Sequence, residues 1–244
     1  MTVTIEGGLG GVRSTSREAP DKAGPATDGR HGGAGRREAG PPIRAVDLGA
    51  LATEASGCTR CRLAQGRTTV VFGDGRGDEP IMFVGEAPGY HEDQQGVPFV
   101  GAAGKLLGTL LAEVGLSRDQ AYIANVLLCR PPGNRDPQPD EIDSCSPYLR
   151  RRLELVQPRI VVTLGNFASR LLLGRTTGIS RLRGQVYPFR GARLIPTYHP
   201  AALLRGGRPE MMAEARADFR LIADTLTEVL GEEAGQPAEQ LGLF

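Results

Sequence analysis

Hydrophobic positions along this chain gather into short runs separated by stretches with helical spacing. Ile81-Met82-Phe83-Val84-Gly85 is uncharged throughout and short enough to be a buried strand. Between Gly104 and Val114, Leu106, Leu107, Leu110 and Leu111 recur at three- and four-residue intervals, which predicts a helix. Ala121 to Asn125 reads as a second strand. Pro139 to Val156 reads as a helix with its proline in the first turn and acids early. Ile160 to Leu164 is a third strand, followed by a helix from about Asn166 to Leu173. Gln185 to Phe189 and Ala192 to Thr197 pattern as a hairpin turning at Arg190-Gly191, and a long helix runs from about Pro209 to Leu230. Strands alternating with helices predict an α/β fold whose mainly parallel sheet is covered by helices on both faces. In such sheets ligands sit beyond the carboxyl ends of the strands. Gly85, Asn125, Gly165 and His199 fall at or just past those ends, so the chemistry is sought there.

The flanks carry no such pattern. Residues 1–43 hold ten glycines, several prolines and mixed charge, a composition that predicts disorder. The segment 231–244 reads as a flexible acidic tail, leaving 44–230 as the folded domain. Forty per cent hydrophobic residues suffice for a sizeable core. No apolar run is long enough to cross a bilayer, and the N-terminus lacks an apolar secretory core, so a cytoplasmic monomer without membrane contact is expected. The net charge of +1 conceals a strong segregation: Leu155 to Pro209 holds nine arginines and no acid, whereas Glu210 onward holds eight acids and two arginines. A basic stretch beside an acidic one suggests a face that meets phosphate. An arginine-rich composition accounts for there being only two lysines, but not for the missing acids.

Four cysteines add candidate chemistry. Cys58 and Cys61 are one turn apart, and Cys129 and Cys145 are separated by fifteen residues. In a reducing compartment such a set favours a metal site over disulfides, and the spacing alone leaves zinc and an iron–sulfur cluster open. Gly85-Glu86-Ala87-Pro88-Gly89 directly follows a strand and forms a stiff loop whose backbone can approach a flat ligand. Phe99, between turn formers, can present its ring to a base or pack in the core. Tyr198-His199-Pro200 closes the hairpin and opens a short helix, which places His199 where a donor can meet developing negative charge.

Taken in order, these segments resemble the family 4 uracil-DNA glycosylases, the branch that carries a cluster. The likeness runs through Cys58-x-x-Cys61, the GEAPG loop, Glu92-Asp93, Gly96-x-Pro98-Phe99-x-Gly101, Tyr122-Ile-x-Asn125, Cys129-Arg-Pro-Pro-x-Asn134-Arg135 and His199-Pro200, about three-fifths of the chain. It implies a three-layer α/β sandwich. It further implies excision of uracil from DNA, leaving an abasic site for base excision repair, and a [4Fe–4S] cluster on Cys58, Cys61, Cys129 and Cys145. By the same resemblance Gly85, Glu86 and Ala87 contact the flipped base, Phe99 stacks on it and Asn125 reads one edge. Glu92 is the candidate for excluding the thymine methyl group, and His199 stabilises charge on the leaving oxygen. Some relatives carry an aspartate in the first loop where this chain has Ala87. That departure leaves Glu86 and Asn134 as candidates to position water, although Asn134 also suits a plain turn.

Arg135, Arg205 and the arginines of the acid-free stretch are candidates for phosphate contact. Leu203 and Leu204 could wedge into the gap left by the flipped base, or simply line the buried side of a short helix. The terminal Gln240-Leu241-Gly242-Leu243-Phe244 resembles the motif by which bacterial repair proteins bind the sliding clamp. Leu241, Leu243 and Phe244 would be its apolar anchors. Two rival readings remain at this point. One is a sister-branch glycosylase acting on a wider range of deaminated bases. The other is a metal-containing DNA-binding module without catalysis.

Overall fold

A computed structural model describes residues 47–206 and 209–235. The glycine-rich segment 1–43 and the motif Gln240 to Phe244 lie outside the described residues. Asp47 starts the first helix by accepting from the Ala50 N–H at 2.8 Å, and α1 (Leu48–Ser56) buries Leu51 and Ala55. Then follow β1 (Ile81–Gly85), α2 (Tyr90–Gln95), α3 (Ala102–Glu113), β2 (Ala121–Asn125), α4 (Pro139–Val156) and β3 (Ile160–Leu164). After these come α5 (Gly165–Leu173), α6 (Ile179–Leu182), the hairpin β4 (Tyr187–Phe189) and β5 (Ala192–Thr197), α7 (Pro200–Leu204) and α8 (Pro209–Gly235).

The five strands are ordered β2-β1-β3-β5-β4, all parallel except β4, which pairs antiparallel with β5. Every residue of β1, β2 and β3 is buried, as a sheet covered on both faces requires. The pleat sorts their side chains into two cores. Met82, Val84, Tyr122 and Val161 pack beneath α1, α4 and α5. Ile81, Phe83, Ile123 and Val162 face α3 and α8, where the Phe83 and Phe219 rings stack at 6.1 Å. This is the three-layer α/β sandwich expected from the pattern. Among the described residues no helix is long and apolar enough to cross a membrane.

Two expectations change. α8 continues to Gly235 rather than ending near Leu230, and Arg193 of β5 reaches Glu228 at 2.7 Å and Glu232 at 3.0 Å along that extension. The charge segregation is also answered in part inside the molecule, at Arg183 and Arg193. Arg183 donates through Nε to Asp218 at 2.8 Å and through Nη2 to the Glu214 carbonyl at 2.6 Å. Part of the basic stretch thus meets the acids of α8, not phosphate.

The Arg183–Asp218 pair also braces the approach to the strand ends, because Asp218 accepts from the Thr197 hydroxyl at 2.7 Å, two residues before His199. Asp218 is buried, and removing it leaves Arg183 only the Glu214 carbonyl and the Glu214 carboxylate at 3.9 Å. Asp218→Ala is expected to cost about 3 kcal/mol in urea unfolding. A loss below about 1 kcal/mol would show that solvent already screens this pair.

Candidate active site

The carboxyl ends of β1 and β2 converge on one point. Beyond the sheet their pairing continues, with the Val126 N–H donating to the Gly85 carbonyl and the Leu127 N–H to the Glu86 carbonyl, both at 3.0 Å. This fixes the start of the Glu86-Ala87-Pro88-Gly89 turn. Gly85 has no room for a side chain, since a Cβ there would lie 2.3 Å from Asn125 Oδ1 and 2.7 Å from Phe99 Cζ. Asn125 is buried, and its Oδ1 has no hydrogen-bond partner. A buried amide oxygen without a donor is costly, and it marks where a ligand N–H is wanted.

Phe99 reaches this point through a strained backbone. Its φ is 54°, a left-handed conformation rare for an aromatic residue. Three features hold it there. Arg118 donates to the Phe99 and Pro98 carbonyls, each at 2.9 Å, and is itself paired with Asp74 at 3.0 Å. Glu92 accepts from the Val100 and Gly101 N–H groups at 3.0 and 2.9 Å. Gly104 leaves space for the Phe99 carbonyl, which a Cβ would approach to 1.6 Å. Sequence reasoning did not find Arg118 or Gly104. The small-residue run Gly101-Ala-Ala-Gly104 was the available signal for the second.

His199 stands opposite, its ring 5.7 Å from that of Phe99. It caps α7, and Nδ1 accepts from the Ala201 N–H at 3.1 Å. That bond makes Nδ1 the acceptor, so the neutral ring carries its proton on Nε2. Gly165, with φ 88°, lets the imidazole in, because a Cβ there would come within 2.9 Å of His199 Cβ. Burial first, and the nearby Arg205 second, push the imidazole down to about 4, against a smaller opposing pull from Glu92.

Gly85 lies directly against Asn125 and Phe99. Glu86, Ala87, Asn125, Phe99, His199 and Arg205 line a cleft of about 720 Å³ that includes space open to solvent. Burial and the neighbouring Asp136 raise the Glu86 carboxyl, and Arg205 opposes them. Glu92, Asn134 and Arg135 border the same cleft. Asn134 is exposed and accepts from Arg130 Nε at 2.7 Å. Arg135 is held by the buried Glu141 through bonds of 2.9 and 2.6 Å. Leu203 is buried in the core, whereas Leu204 is 51% exposed.

The four cysteines, none in a disulfide, line one cavity with Arg67 beside them. Arg67 Nη1 lies 3.5 Å from Cys129 Sγ, and the Leu128 N–H donates to Cys145 Sγ at 3.3 Å. Burial raises the thiols of Cys61 and Cys129 and pushes that of Cys145 up to about 12. Four thiols gathered in an apolar place suit a metal group that takes up their negative charge. Among the described residues no three His, Cys, Asp or Glu side chains are gathered closely enough for a single ion.

Residues 72–220 match the family model of the uracil DNA glycosylase superfamily. The chain is 44% identical over 182 residues to a type-4 uracil-DNA glycosylase of Archaeoglobus fulgidus, a match spanning 71% of this chain and 90% of that protein. This chain belongs to the type-4 uracil-DNA glycosylases. A second type-4 enzyme, from Sulfurisphaera tokodaii, is 44% identical over 180 residues, covering 70% of this chain and 81% of that one. A type-5 uracil-DNA glycosylase of Pyrobaculum aerophilum is more distant, 35% identical over 173 residues covering 63% and 70% of the two chains. The type-4 motifs quoted from the sequence thus bring together Gly85, Phe99, Asn125 and His199 at one cleft, and the four cysteines at a separate cavity.

The depressed His199 value has a checkable sign. An ordinary histidine takes up its proton near 6.5, and this one near 4. The unfolded state therefore binds the extra proton in that window. The stability His199 contributes is complete above about pH 6.5 and is lost as pH falls toward 4. An NMR titration of the His199 ring is expected to show a midpoint near 4. A midpoint near 6.5 would mean that burial and Arg205 do not depress this imidazole.

Proposed function

We propose that this type-4 family member excises uracil from DNA by hydrolysing its N-glycosidic bond, serving base excision repair. The observation that carries the reading is the unpartnered Oδ1 of buried Asn125, set beside the Phe99 ring in a cleft that ends on a neutral His199. Uracil offers an N–H flanked by two carbonyls. A flipped uracil on Phe99 supplies the donor that Asn125 lacks, while the amide N–H₂ answers a carbonyl. Cytosine presents an acceptor where that N–H stands, so it leaves Asn125 Oδ1 unpaired. Glu92 is pinned by two backbone amides and cannot swing aside, so a thymine methyl group turned toward it meets a fixed carboxylate.

Cleavage leaves negative charge on the departing base. The Nε2–H of His199 is the donor for it, poised without having to shed a proton first. For the attacking water, Glu86 is favoured over Asn134. Its carboxyl is raised and lines the cleft, whereas the Asn134 amide is tied to Arg130. Arg205 at the mouth is the preferred phosphate contact, and Leu204, being exposed, is the preferred wedge. Arg135 is already committed to Glu141, and Leu203 to the core.

The four free cysteines around one cavity, in a chain of the type-4 family, support a [4Fe–4S] cluster over zinc. When bound, the cluster would act as a covalent clasp joining the segment after α1, the loop after β2 and α4. The terminal Gln240 to Phe244 is proposed to tether the enzyme to a sliding clamp, and the cytoplasm is the expected compartment.

His199→Ala is expected to retain binding to uracil-containing DNA and to lose about a hundredfold or more in single-turnover uracil release. Release near the wild-type rate would refute the assignment. Deleting Gln240 to Phe244 should leave uracil release on short oligonucleotides intact while abolishing binding to a purified bacterial clamp. Unchanged clamp affinity would sink the tether.

A further inference from the structure

Helix α4 holds the segment that follows β2 at two places. Its buried face comprises Glu141, Cys145, Tyr148, Leu149, Arg152 and Val156. Cys145 and Arg152 lie two turns apart on that face. Side chains on a helix lean toward its N-terminus, so Arg152 points back along α4 toward Cys145. Its Nε lies 3.4 Å from the Tyr148 carbonyl, one turn earlier. At its far end, Nη2 donates to the Asn125 carbonyl at 2.8 Å, and Nη1 donates to the Phe72 carbonyl. Cys145 meanwhile accepts from the Leu128 N–H, three residues after Asn125. One helix face therefore clamps both ends of Asn125 to Leu128, through a guanidinium at one end and a sulfur at the other.

Arg152 is fully buried and guanidinium-bound only to carbonyls. Among the described residues no carboxylate pairs with it or accepts a hydrogen bond from it, and its guanidinium lies 5.5 Å from the centre of the Phe72 ring. A buried cation needs an anion nearby. A [4Fe–4S] core brings less positive charge than its four thiolates bring negative, so the ligated unit is an anion. It lies on the Cys145 side of Arg152.

We infer that Arg152 is a positioning residue that couples the cysteine site to base recognition: it is a buried counter-cation of the anionic cluster, additional to Arg67 at Cys129, and the anchor that sets Asn125 against Gly85 and Phe99. The inference rests on the cluster and uracil assignments made above. It joins two sites that the family motifs treat separately. Lysine at this position keeps the charge but cannot bind two carbonyls with a rigid fork. Glutamine keeps a donor and loses the charge. The two roles are therefore separable by substitution.

The test uses full-length, cluster-loaded enzyme. Arg152→Gln is expected to move the cluster to a more negative reduction potential, because a buried cation favours the more anionic reduced form. It should also raise KM for uracil-containing oligonucleotide about tenfold, with a smaller change in kcat. Arg152→Lys should hold the potential near wild type and still raise KM. Folded Arg152→Gln protein with wild-type potential and KM would overturn the inference. Should neither variant fold, coupling is read in the wild type, since linked sites act on each other reciprocally. Saturating free uracil is then expected to shift the cluster potential, and an unmoved potential overturns the inference. Visible absorbance and uracil release by the wild type report separately on the underlying assignments. If those fail, the earlier reading fails. If they hold and the Arg152 readouts do not move, this inference alone fails.

Discussion

The contact on which the site depends is the closure of β1 on β2 past the end of the sheet. Two backbone bonds, from Val126 and Leu127 to the carbonyls of Gly85 and Glu86, carry strand pairing beyond the last sheet residue. They bring Asn125 over Gly85 so closely that no side chain fits between them. From that closure follow the burial of the Asn125 amide, the seat for the Phe99 ring and the direction in which the GEAPG turn leaves the sheet. A glycine is required because two other residues need the space its side chain would take. The permissive backbone of glycine is secondary here.

Around this point the molecule places opposing demands on its polar groups. Asn125 Oδ1 is left without a donor, and Phe99 is held in a left-handed conformation. Both are unfavourable in isolation, and both are stabilised by neighbours that have nothing to do with a ligand. Arg118 and Glu92 fix the Phe99 loop from outside. Arg152 and the bonds beyond the sheet fix Asn125 from below. The cleft is therefore preorganised: its shape is set before anything enters, and the cost of the orphaned oxygen is met by the scaffold instead of the ligand.

The regular part of the fold was legible in the sequence. β1, β2, β3 and α4 fall where the hydrophobic pattern put them, because a doubly covered sheet turns buried strands into uncharged runs bounded by polar turns. α1 was not legible: its buried stripe is narrow, Leu51 and Ala55 alone, and its cap Asp47 sits in an unpatterned stretch. The site was legible in its members and less so in its supports. Gly85, Asn125 and His199 announce themselves by position at strand ends, and Phe99 by standing between turn formers. Arg118 and Arg152 act through backbone carbonyls far away in the chain, and no local pattern records such a bond. Two arginines of the basic stretch were illegible for a related reason. Charge counted along a chain does not say which acids the fold brings opposite, and at Arg183 and Arg193 they come from α8.

The state of His199 follows from the same geometry. Its Nδ1 is occupied by the backbone N–H that α7 must satisfy at its start, and Arg205 stands close enough to disfavour a second positive charge. A charged imidazole would bind a leaving anion more strongly, but it would also be neutralised by every passing carboxylate or phosphate. A neutral ring with its proton committed to Nε2 is insensitive to those and responds to charge only where it develops. Helix capping thereby selects the tautomer with the proton on Nε2. In this fold, the residue that starts α7 is also the one that faces Phe99 across the cleft.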